Sequence, residues 1–133
     1  MNRASKFRRL LAAAAIAALV ASSFGLRNIG DDTRIVRAHE DLQDLASRFQ
    51  EHRSRSGRIP NTEEGFDALI RRPAGMSGEW QKALDTTPWD PWGNRYHYRK
   101  SIRDGVEIPE ILSAGKDCLI GTEDDLSSLD PTP

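Results

Sequence analysis

Between residues 31 and 53 the apolar positions Ile35, Ala38, Leu42, Leu45 and Phe49 recur at steps of three and four, with His39 and Ala46 beside them. That spacing gathers them on one stripe of an α-helix. Arg34, Arg37, Glu40, Asp41, Asp44, Arg48, Glu51 and Arg53 hold the other face. No later segment carries a helical period of this length, so the fold has to be assembled around one amphipathic stem. Asp31 or Asp32 is the expected N-cap and Gly57 the expected stop. His39 and His52 read as structural, because neither has a second His at i+4 with which to hold a metal.

Upstream, Arg3, Lys6, Arg8 and Arg9 precede an uncharged run from Leu10 to Leu26, 17 residues long and at the lower limit for a membrane-spanning helix. Ala21-Ser22-Ser23 offers small residues for a signal-peptidase site. Residues 1–26 are therefore expected to be a signal peptide or an N-terminal membrane anchor. The basic flank stands before the apolar run, which places the remainder outside the cytoplasm. Without its first 23 residues the chain carries 15 basic and 20 acidic side chains. No basic stripe with interleaved aromatics exists, which argues against nucleic-acid binding.

The stem is followed by turn-rich chain. Asn61 or Thr62 is expected to cap a short second helix with Phe66, Leu69 and Ile70 buried and Pro73 beyond its end. Residues 71–90 read as an irregular connection, with a turn of helix expected within Gly78–Leu84. Pro88-Trp89-Asp90-Pro91-Trp92-Gly93-Asn94 is a tight turn delivering a strand at Tyr96-His97-Tyr98-Arg99. Arg103-Asp104-Gly105 signals a hairpin. Val106 to Leu112 reads as a second strand, where Pro109 requires an edge or a bulge. A short last strand is expected at Leu126–Leu129. Trp92, Tyr96 and Tyr98 are expected to be core rather than ligand-site residues.

Between the last two strands stand Lys116, Asp117, Cys118, Gly121 and the acids Glu123, Asp124 and Asp125. Carboxylates converging on one loop repel each other unless a cation lies between them, and hard oxygen ligands favour Ca²⁺. A solvated acidic turn is the alternative. Cys118 is the only cysteine, which excludes an intrachain disulfide and a thiolate metal site. It reads as a small buried residue.

Three ordered motifs carry a resemblance: Gly57-Arg58-Ile59-Pro60-Asn61-Thr62-Glu63-Glu64-Gly65-Phe66, Asp90-Pro91-Trp92-Gly93-Asn94-Arg95-Tyr96-His97-Tyr98, and Leu112-Ser113-Ala114-Gly115 with Asp117 and Gly121-Thr122-Glu123-Asp124-Asp125. Together, after a hydrophobic N-terminal segment, they resemble the type II secretion system protein G (major pseudopilin) family. The resemblance implies an α+β fold, a long N-terminal helix packed on a small antiparallel sheet, with calcium in the last loop. It implies residues 27–133 as a pseudopilin-like periplasmic domain: helical stem 31–53, connecting region 54–90, sheet and calcium loop 91–130. Asp117, Asp124 and Asp125 match the family's carboxylate ligands, and the backbone carbonyls near Leu112, Ile120 and Thr122 are the remaining candidates. The family places a glycine before the phenylalanine that starts the mature helix and a glutamate four residues later, and neither that glycine nor that glutamate is present here. The region reads Lys6-Phe7-Arg8-Arg9-Leu10-Leu11, and no acid precedes Asp31.

The function implied is a non-enzymatic structural subunit, calcium-stabilised, acting in secretion across the bacterial outer membrane. Its partners would be other pseudopilin subunits, met through the N-terminal helix, and secretion-apparatus components. Its place would be the inner membrane with a periplasmic domain, or the periplasm or medium if the N-terminal segment is cleaved. The alternative is an exported soluble calcium-stabilised binding domain that keeps the fold and forms no fibre. Catalysis is not expected: His97 has no Ser or Cys nucleophile beside it in the sequence, and the acids cluster in one loop.

Overall fold

The computed structural model describes residues 3–131, with side chains from residue 30 onward. Helix α1 is Arg3–Ser56, so Asp31 and Asp32 lie inside a helix rather than capping one. Gly57 does end it: its φ is +79°, and its N–H donates to the Arg53 carbonyl at 2.8 Å. Two compact units are present, residues 1–34 and residues 35–133. The segment expected as signal or anchor, 1–26, falls outside the residues with described side chains. Among the described residues no helix is long and apolar enough to cross a membrane.

The second unit has the expected α+β architecture. Leu42, Leu45 and Phe49 of the stem pack with Phe66, Leu69, Tyr96, Tyr98 and Ile111 in one core. Phe49 is its centre, fully buried, stacked on Tyr98 with ring centroids 4.4 Å apart and edge-on to Phe66 at 5.4 Å. Such pairs add about 0.5–1.5 kcal/mol each to the burial of the rings. The Tyr98 hydroxyl donates to the Pro60 carbonyl at 2.6 Å and the Tyr96 hydroxyl to Asp41 Oδ2 at 3.1 Å. Burial, before any neighbouring charge, pushes both phenols far above their usual range. His39 Nδ1 donates to the Ile35 carbonyl at 3.0 Å, as a buried structural residue.

Helix α2 is shorter than expected, Asp67–Ile70. Neither Asn61 nor Thr62 caps it, since Phe66 stands at its N-cap without a side-chain bond. The Asn61 chemistry closes the turn before it instead, where Asn61 Oδ1 accepts from the Glu64 N–H at 2.7 Å and Glu64 returns the bond to the Asn61 N–H at 2.9 Å. Gly65, at φ +48°, then breaks the run beneath the Tyr98 ring, so only four residues become helical. Gly78–Leu84 forms no helix. Its donors go elsewhere: Ala83 and Leu84 N–H reach the Leu69 carbonyl at 2.9 and 3.2 Å, and Trp80 Nε1 reaches the Ala68 carbonyl at 2.7 Å. Tertiary bonds to the end of α2 have replaced the local ones.

The sheet has three antiparallel strands in chain order, β1 His97–Arg103, β2 Val106–Ser113 and β3 Leu126–Ser127. Asp104 and Gly105, at φ +52° and +76°, form the two-residue hairpin between β1 and β2. Pro109 interrupts nothing. It faces Lys100, whose N–H points out of the ladder to Thr62 Oγ1, and β3 pairs only with Leu112 and Ser113. The missing N–H of Pro109 thus falls on an open edge, as a strand proline requires. Strand β3 stops two residues early because Ser128 uses its side chain. Its N–H donates to the Ile111 carbonyl, its Oγ accepts from the Ile111 N–H at 3.0 Å, and its own carbonyl accepts from Gln43 Nε2 at 3.0 Å.

Candidate functional site

The loop after β2 is built on the turn before β1. Trp89 and Arg95 bridge the ends of that turn, and the Arg95 guanidinium lies 3.9 Å over the Trp89 ring. Inside it Asp90 is 5% exposed. Its Oδ1 accepts from the Trp92 and Asn94 N–H groups at 3.0 and 2.7 Å, and its Oδ2 accepts from Asn94 Nδ2 at 3.2 Å and Ser113 Oγ at 2.6 Å. Four donors on one carboxylate are what its burial demands. The same Asn94 Nδ2 donates to the Gly115 carbonyl at 2.9 Å, and the Gly115 N–H donates to Ser113 Oγ at 3.2 Å. A closed ring of hydrogen bonds therefore holds both polar groups of the Gly115 residue. This ring was not read from the sequence, although Asp-Pro-Trp-Gly-Asn is the composition of an Asx turn.

Gly115 itself is pressed against the far side of the loop. At φ +60° it has no room for a side chain: an added Cβ would overlap the Asp124 carbonyl oxygen and stand 2.9 Å from the Asp124 carbonyl carbon and Cβ. Between these two residues the chain runs outward. Asp117 is exposed, and its Oδ1 accepts from the Leu119 N–H at 2.9 Å. Cys118, expected as a buried residue, is exposed and free at φ +63°, because the Asp117 turn carries it away from the core. Leu119 and Ile120 are exposed at the tip, and Thr122 Oγ1 donates back to the Leu119 carbonyl at 3.2 Å.

Of the expected ligand set, Asp117, Ile120, Thr122 and Asp124 lie on the exposed part of this loop, while Leu112 sits in β2 opposite His97 and Ser127. Asp125 stands apart from the rest. Its Oδ2 accepts from the Gly121 N–H at 2.6 Å and its N–H donates to the Thr122 carbonyl at 3.3 Å, but its Oδ1 is buried with no hydrogen-bond partner. Among the described residues no three His, Cys, Asp or Glu side chains gather closely enough to hold a metal ion. What the loop does offer is one buried carboxylate oxygen without a donor, Asp125 Oδ1, together with loop carbonyls and exposed carboxylates.

Beneath the loop, buried Glu110 joins the sheet into one polar network. It takes Arg99 Nε and an Arg99 terminal nitrogen at 2.5 and 2.8 Å, Ser127 Oγ at 2.9 Å and the Ser101 hydroxyl. Arg99 first, then the hydroxyls, hold its pKa below the usual carboxylate range against its burial. Trp92 Nε1, in the turn before β1, and His52 Nε2, near the end of α1, are also buried without partners.

The residues from 26 to 130 match the family model of the type II secretion system protein G. The chain belongs to that family. It is 30% identical over 99 residues to the type II secretion system core protein G of Pseudomonas aeruginosa, an alignment covering 71% of this chain and 68% of that one. With the core protein G of Klebsiella michiganensis it shares 30% identity over 114 residues, covering 83% and 77%. Its fold matches the crystal structure of the major pseudopilin from the type 2 secretion system of enterohaemorrhagic Escherichia coli with a TM-score of 0.65 at 28% identity, over 77% of this chain and 87% of that one. Membership of the protein G family gives the chain a structural role in protein secretion, carried on a pseudopilin fold.

Proposed function

We propose that this protein G family member is a non-enzymatic subunit whose last loop binds calcium and is ordered by it. The observation that carries the reading is Asp125 Oδ1, buried with no donor in a loop that also holds Asp117 and Asp124. A buried carboxylate oxygen without a partner is costly, and a cation removes that cost. Asp125 would hold the ion from below. Asp117, Asp124 and the carbonyls of Ile120 and Thr122 would close over it from the exposed side. When bound, the ion supplies positive charge and fixed geometry to the loop, and no bond chemistry.

The subunit would work by association. Other pseudopilin subunits would be met through α1, Arg3–Ser56, and the secretion apparatus through the periplasmic body. The absence of any acid before Asp31 removes the carboxylate with which a family member would neutralise a neighbour's N-terminus. Packing along the helix would then set the register alone. A periplasmic body held to the inner membrane by residues 1–26 fits the basic flank and apolar run of that segment.

Thermal unfolding of the full chain in calcium and in excess chelator tests the ion. The calcium-bound form should melt higher, by about 2.7 kcal/mol of stabilisation at 100 times Kd, and Asp125→Ala should abolish the difference. Equal midpoints for the unmodified chain would remove calcium from the reading. Sequencing the N-terminus of the mature protein tests the anchor, since a start near Phe24 would mean an exported soluble domain instead.

A further inference from the structure

The Asp90 ring ties two segments that lie far apart in the chain, and its grip falls on one residue. Asn94 Nδ2 holds the Gly115 carbonyl at 2.9 Å, and Ser113 Oγ holds the Gly115 N–H at 3.2 Å. Asp90 Oδ2 fixes both of those side chains, at 3.2 and 2.6 Å. Gly115 in turn forms the floor on which the Asp124 carbonyl rests, with no space between them for a methyl group. The next residue is Asp125, whose Oδ1 is the orphaned oxygen.

We propose that Asp90, Asn94 and Ser113 are positioning residues for the C-terminal loop: they lock the Gly115 backbone so that Asp124 and Asp125 are presented in one fixed arrangement to a divalent cation. The proposal rests on the calcium reading for its ligand, but the mechanical link does not. The ring fixes three degrees of freedom that a bare loop would keep: the Gly115 peptide orientation on each side and the height of the Asp124 carbonyl above it. A pre-set loop loses less conformational freedom on binding, and partners outside the ligand shell are worth about 10–100-fold in metal affinity where they orient ligands.

Hydrogen exchange and calcium titration calorimetry on the full chain test this together. Asn94→Ala removes the bond to the Gly115 carbonyl, and Ser113→Ala, a smaller change, removes the bond to its N–H. Each should weaken calcium binding by about tenfold and, in chelator, speed exchange at the Leu119, Gly121 and Asp125 amides, while the amides of β1 keep their protection. The double variant should lose little more than either single one, because both grip the same residue. A turn that only supports its own strand would change exchange at residues 89–95 and leave the loop and the calcium affinity alone, and that result overturns the proposal. If the unmodified chain takes up no calcium yet loop exchange responds to both variants, the lock stands and the calcium reading falls. If calcium binds and neither variant moves loop exchange or affinity, the lock falls and the calcium reading stands.

Discussion

Gly115→Ala tests the packing of the Asp124 carbonyl against Gly115. The residue has φ +60°, where an L side chain costs about 1–2 kcal/mol. Part of that is offset by about 0.4–1 kcal/mol from a less flexible unfolded chain. Gly75, at φ +70° with nothing within 4 Å of its Cβ position, carries the same strain in open space. Gly75→Ala should therefore cost about 1 kcal/mol. At Gly115 the new methyl also has to displace the Asp124 backbone. That segment leads directly into β3, and moving it endangers the bonds between Ile111 and Ser128 and the Gln43 bond to the Ser128 carbonyl. At about 1 kcal/mol for each of these three bonds, Gly115→Ala should cost about 3 kcal/mol more than Gly75→Ala. Urea unfolding followed by circular dichroism measures both, and a lowered midpoint at constant slope identifies the change as one of stability. Equal costs at the two glycines would refute the claim that the Asp124 carbonyl rests on Gly115.

Phe49→Ala, which empties the fully buried centre of the core, should destabilise by about 3–5 kcal/mol in the same assay. Acid should act in two steps. Burial first, then the Arg58 charge, lowers the His52 pKa from 6.5, so the folded state resists the proton and stability falls as pH drops through and below that value. Arg58 lowers Glu64 from 4.5 to about 2, so its contribution is present above 4.5 and lost as pH falls towards 2. His52→Gln should flatten the first step and Glu64→Gln the second in a pH series of melting temperatures; an unchanged series for either would remove that group from the account. Cys118 is exposed, so a thiol reagent should label it in the native state as fast as in urea; slow native labelling would place it in an interface.

Period and punctuation made much of the fold legible. Ala38, Leu42, Leu45 and Phe49 of the three- and four-step stripe buried as read while Ile35 stayed half-buried, and Tyr96 and Tyr98 turned inward while His97 and Arg99 turned out. Gly57 and the Asp104-Gly105 pair each acted where their local chemistry predicts, whereas Asn61 closed a turn ahead of α2 rather than capping it. The departures arose where distant partners decide. Gly78–Leu84 had helical composition, but its donors found the Leu69 carbonyl. Leu129 looked like strand, but the Ser128 hydroxyl took over the ladder one residue earlier. The candidate site divides the same way. Its acids are visible as a cluster in the sequence, whereas the support beneath them depends on Asn94 meeting Gly115, 21 residues away, which no local period encodes.

The Gln43 bond to the Ser128 carbonyl joins residues 85 apart in the chain. A ribosome adding about 5–20 residues per second leaves helix α1 without that partner for about 4–17 seconds. Over the last 17 residues of that interval β2 also lacks Ser128, so Ile111 offers an unpaired amide beside an apolar stripe. The last strand is thus the latch that ends the vulnerable stage of biogenesis, and a chaperone that shields this subunit has to cover one sheet edge and one helix face until the latch arrives.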